Sequence, residues 1–78
     1  MPRTTIYCVQ TFEHKGSKLV QAGLRQLKKK EEAERIGAYS AGKFVGVLVY
    51  SVDADPEFND WGDPVMIASY GQVPDEAD

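Results

Sequence analysis

Lys18-Leu19-Val20-Gln21-Ala22-Gly23-Leu24-Arg25-Gln26-Leu27-Lys28 is the stretch on which the fold turns. At helical spacing, Leu19, Val20, Gly23, Leu24 and Leu27 share one stripe, and Ser17 stands where an N-cap would. At a period of two, Val20, Ala22 and Leu24 share one face of a strand. The preceding His14-Lys15-Gly16-Ser17 reads as a turn in which Gly16 is free to take positive φ, short enough to join two strands directly. Periodicity leans toward the helix and turn length toward the hairpin. The choice has a structural consequence, because a helix here would close a second sheet face that a strand would leave open.

The flanking segments are easier to read. Thr4 to about Glu13 is rich in Thr, Ile, Tyr, Val and Phe, which suits a pleated, half-buried strand. Its Ile6, Cys8 and Phe12 fall on one face and Tyr7, Val9 and Thr11 on the other. Lys30 to Ala41 is expected to be helical. Glu31 and Glu32 complement the dipole in its first turn, Glu31 stands four residues before Arg35, and Gly42 is placed to stop it. Phe44 to Val52 is the strongest strand, apolar at every position up to Tyr50, so both of its faces should be covered. Asp53 to Asp63, broken by Pro56 and Gly62, reads as a loop in which Trp61 and Phe58 fold back on the core. Pro64 can open a last strand over Val65–Gly71. Residues 74–78 read as a disordered acidic tail.

Seventy-eight residues make one small domain, 1–78, of the size that often gains stability from partners. Cys8 is the one cysteine, which rules out an internal disulfide and reads as a small core hydrophobe in a reducing compartment. The N-terminal residues lack the apolar segment of a secretory signal, so the expected location is cytoplasmic. All nine Lys and Arg lie between Arg3 and Lys43 against four acids, giving +5 there; from Asp53 onward eight acids stand with no base, giving −8. That asymmetry can orient a charged partner or draw copies together head to tail, although charge alone identifies no partner.

The motifs that suggest chemistry fail on geometry. Gly37-Ala38-Tyr39-Ser40-Ala41-Gly42-Lys43 approaches a phosphate-binding loop, but Phe44 stands where the magnesium-binding hydroxyl belongs. The stretch also closes a helix rather than opening one. Asp53-x-Asp55-x-Glu57-x-Asn59 starts like a calcium loop, yet Phe58 and Pro64 replace the required Gly and Glu. No cofactor, metal ligand set or catalytic constellation is expected. Arg25, Lys28, Lys29 and Lys30 form a basic patch, a thin footprint for nucleic acid on an acidic chain.

Several segments resemble a family of small alphaproteobacterial proteins of unknown function. They are Tyr7-x-Val9-Gln10-x-Phe12-Glu13, Lys15-Gly16, Glu32-Ala33-x-Arg35, Gly46 to Ser51, and Asp63-Pro64-Val65-x-Ile67-Ala68-x-Tyr70-Gly71-x-Val73-Pro74. The resemblance implies a bacterial source, extended structure over 18–28, and no activity or site residue.

The resulting expectation is an α+β fold in the order β-β-α-β-β: a mostly antiparallel four-stranded sheet with one helix on one face. One helix cannot cover two apolar faces. Tyr7, Val9, Val45, Val47 and Val49 are the candidates for an open interaction surface, occupied by a second copy or another protein partner. A non-enzymatic, self-associating module is the leading reading. Nucleic-acid binding through Arg25 and Lys28–Lys30, and a small ligand or divalent metal on the 53–63 loop, are the alternatives.

Overall fold

The computed structural model describes residues 4–55 and 60–73. Five strands and one helix follow in order: β1 Thr4–Lys15, β2 Lys18–Leu27, α1 Lys30–Ser40, β3 Gly46–Asp55, β4 Asp60–Trp61 and β5 Val65–Gly71. They form the expected α+β fold, a sheet in the order β2-β1-β3-β4, with β5 pairing β3 as well. Every pairing is antiparallel.

Residues 18–28 are resolved in favour of the strand. Lys15 pairs with Lys18 across a two-residue connection, Gly16-Ser17, with Gly16 at φ 66. That left-handed conformation costs glycine almost nothing, so local geometry alone suits the turn to close a hairpin. The strand instead pairs with β1 along its length, from Lys18 opposite Lys15 to Leu27 opposite Tyr7. One irregularity remains: Thr11 faces Gly23 but Phe12 faces Gln21, so Ala22 is an extra residue in β2. Such a bulge breaks the edge strand's regular pattern and turns it locally.

The two central strands hold the core. Val9 faces Val49 and Thr11 faces Val47, so these four side chains share one face of the sheet. Val9, Val47, Val49 and Ala33 form the buried cluster, with Tyr7, Leu27, Ile36, Phe44, Ile67 and Tyr70 packed around it. Helix α1 presents Ala33, Gly37 and Ser40 to this face. Gly37 is required by proximity: a Cβ there would lie 2.5 Å from Cγ2 of Val49. Small helix residues on short valines let α1 sit close to β3, and that closeness decides what else it can cover.

Three boundaries and one ion pair differ from the sequence reading. β1 runs on to Lys15, so the turn shrinks to Gly16-Ser17. α1 ends at Ser40 in a turn, with Ala41 in the right-handed region and the amides of Ala41, Gly42 and Lys43 bonded to the carbonyls of Gly37, Tyr39 and Ser40. Gly42 therefore does not act as a left-handed stop. The i,i+4 ion pair that forms is Lys30–Glu34 at 4.0 Å rather than Glu31–Arg35. The stretch read as a loop from Asp53 is partly sheet, since β3 continues to Asp55 and β4 pairs Trp61 with Ala54 and Asp60 with Asp55. The amide of Gly62 donates to the carbonyl of Asp53 at 2.8 Å, which pins that ladder. Residues 56–59, including Phe58, and the tail 74–78 lie outside the described residues.

Candidate interaction surface

β3 sorts its side chains by parity. Val47 and Val49 point to α1, and alternation sends Leu48, Tyr50 and Val52 to the opposite face. The pairing of β1 adds Ile6, Cys8, Gln10 and Phe12 to that opposite face. Met66, which faces Tyr50 from β5, and Leu24, which faces Gln10 from β2, complete it. Among the described residues no helix or further strand lies over this face.

Its floor is closed and its relief is apolar. Cys8, Phe12 and Leu48 are buried, Ile6, Tyr50 and Val52 are half-buried, and Met66 and Leu24 are 52% and 47% exposed. A groove of about 390 Å³ runs between Gln10, Leu48, Tyr50, Val52, Pro64 and Met66. The polar groups in or beside it are engaged: the Gln10 amide donates to the side chain of Gln21, and Cys8 hydrogen-bonds Tyr50. Burial pushes the Cys8 thiol above its ordinary range, and the bond to Tyr50 opposes that shift. A thiol so held stays protonated near neutrality, which makes it packing material rather than a nucleophile.

The five residues expected on an open surface lie elsewhere. Val9, Val47 and Val49 are 1%, 0% and 0% exposed beneath α1, and Tyr7 packs against the same cluster. Val45 precedes β3 and is 37% exposed, so it belongs to neither face of that strand. The helix takes the valine side, and on the opposite face Cys8, Phe12 and Leu48 are also buried. The sequence held a usable signal for this. Ala33, Gly37 and Ser40 make a helix face without bulk, which fits closely against short β-branched side chains.

Charge is distributed edge to edge. Arg25, Lys28, Lys29 and Lys30 are exposed along β2 and the start of α1, with Lys18 on the same side. Asp53, Asp60 and Asp63 are exposed at the opposite edge around β4. Asp53 accepts a hydrogen bond from the Thr5 hydroxyl at 2.7 Å. Among the described residues no group of three His, Cys, Asp or Glu side chains could hold a metal ion. Among the same residues no helix is long and apolar enough to cross a membrane.

No protein-family model, curated protein or solved structure matches this chain. The surfaces must therefore be read from their own chemistry.

Proposed function

We propose that this protein is a non-enzymatic interaction module that pairs with a second copy of itself through the sheet face opposite α1. The observation that carries the reading is the groove of Leu48, Tyr50, Val52, Pro64 and Met66, an apolar surface on the face that α1 does not cover. Leaving it in water costs free energy in proportion to its area, and a copy of the same face is self-complementary by symmetry.

Charge selects one arrangement of the two copies. A two-fold axis parallel to the strands, passing between β1 and β3, lays the β2 edge of one copy over the β4 edge of the other. Lys28–Lys30 then come to the same rim as Asp53 and Asp60, at the same end of the sheet because Tyr7 pairs both Leu27 and Ser51; by alternation the two aspartates stand on the α1 side, so the attraction acts around the rim rather than across the interface. An axis across the strands would put basic edge on basic edge, and like charges so placed repel. Four strands spaced about 4.8 Å apart and about seven residues long present roughly 440 Å² in projection. A standard interface buries about 800 Å² per partner, so the dimer belongs to the weaker, micromolar class.

Sedimentation equilibrium at micromolar concentration tests the reading. A dimer is expected in low salt, with weaker association in high salt as the edge charges are screened. Met66→Glu should leave a folded monomer. A wild-type chain that stays monomeric at high micromolar concentration overturns the proposal.

A further inference from the structure

On the side of the sheet that carries α1, the helix packs on β1 and β3 more than on the edge strand β2. Gly37 draws it against Val49, and Ile36 and Tyr39 then form the wall of a cleft whose other wall is β2. At the register position opposite Thr11, β2 carries Gly23, which has no side chain to fill the gap, and the bulge at Ala22 adds only a methyl group. The result is a cleft of about 400 Å³ with a floor of Val9 and Thr11. Sites for small molecules run from about 300 to 1,000 Å³, are mostly apolar, and carry a few convergent polar groups.

The polar groups here share one sign. Arg25 and Lys43 line the cleft from opposite walls, and among the described residues no Asp or Glu lines it. Among the described residues neither cation is paired with a carboxylate. Lys43 lies over the Tyr39 ring at 4.9 Å from its centroid, a contact that positions the ammonium without neutralising it. The carbonyls of Gly37, Tyr39 and Ser40 near the helix end are taken by backbone amides of residues 41–44, so they make little demand on that charge. The floor adds the Thr11 hydroxyl, which donates to the Gly23 carbonyl at 3.4 Å, a long bond that a ligand oxygen can displace.

We infer that this cleft is a binding site for a small amphipathic anion: an alkyl or aryl body seated between Ile36 and Gly23, with its carboxylate held by Arg25 and Lys43. The body fits because the walls are apolar, and the carboxylate because two cations without a carboxylate partner among the described residues line one cleft. This site lies on the opposite face from the surface proposed for self-association and does not depend on it.

A titration of the isotope-labelled full chain with 4-phenylbutyrate, followed by amide chemical shifts, tests the assignment, with 4-phenylbutanol as the neutral isostere. Saturable shifts are expected at Gly23, Ile36 and Lys43 in the millimolar range or below, with the alcohol at least tenfold weaker. Arg25 and Lys43 are exposed, so Arg25→Ala with Lys43→Ala should fold normally and bind the carboxylate at least tenfold more weakly. Met66→Glu should leave this binding unchanged. Absence of saturable shifts, shifts confined to the Leu48–Tyr50 face, or equal affinity for acid and alcohol would each overturn the proposal.

Discussion

The two faces of β3 are made of similar material and have opposite fates. Val47 and Val49 lie under α1 with no exposed surface, while Tyr50 and Val52, one residue along, border an open groove. Hydrophobicity does not distinguish them. What does is the size of the side chains each face offers to a helix whose own contact residues are Ala33, Gly37 and Ser40. A helix without bulk gains most dispersion energy where it can approach closely, and only the valine face permits a close approach. The bulkier face carries the groove bordered by Leu48, Tyr50 and Met66. Hydrophobicity of a strand thus marks both faces alike, while the side chains of the helix bear on which face it takes.

This comparison can be broken most directly by trimming each face in turn. Val49→Ala should cost about 2–3 kcal/mol, because it opens a cavity beneath the helix. Val52→Ala, on the half-buried groove side, should cost less than about 1 kcal/mol in the monomer. Urea unfolding of both variants checks the contrast, and equal losses would refute the assignment of the core to one face. Next in size is Gly37→Ala, whose new methyl would meet Val49 and lift α1 from the sheet. About 1–3 kcal/mol of destabilisation is expected, with relief when Val49→Ala is added. A double-mutant cycle without coupling would show that the helix is not seated there.

A smaller effect separates the turn from the sheet it joins. Gly16→Ala should cost about 1 kcal/mol, since φ 66 is strained for any residue with a Cβ. The open space around Gly16 leaves no steric term, so a larger loss would point to contacts beyond the backbone.

The smallest effect concerns Cys8, on the open face. Burial raises its thiol in the folded chain, so folding favours the protonated form. The stabilisation this gives is complete below the ordinary thiol range and is lost as pH rises through the folded-state value. Wild type should therefore lose stability relative to Cys8→Ala between neutral and strongly alkaline pH. Parallel urea midpoints for the two proteins at both pH values read this difference, and parallel slopes would show that the thiol is not desolvated.

Much of the fold was legible because its signals are local. β-Branched and aromatic residues over 4–13 and 44–52, acids in the first turn of α1, and Pro64 before Val65 each act through neighbouring atoms. The 18–28 stretch was less legible, since its pattern suits two periods and only pairing with β1 chooses between them. The bulges opposite Thr11/Phe12 and Val49/Tyr50 left no trace in composition, because an extra residue in a strand is defined by its partner. The cleft lined by Arg25 and Lys43 was invisible for a related reason. Those cations lie eighteen positions apart in the chain, and only the hairpin and the helix crossing bring them to one opening.

The sequence by itself determined an antiparallel α+β domain with a single helix, apolar on both faces of its central strand and charged oppositely at its two ends. Periods of two and 3.6, turn chemistry and charge counts are properties of neighbouring residues and need no third dimension. Tertiary structure alone decided that α1 covers Val9, Val47 and Val49 rather than Leu48 and Tyr50. That choice is a contest between two close-packed arrangements, and it was settled by the fit of Gly37 against Val49 across the layer.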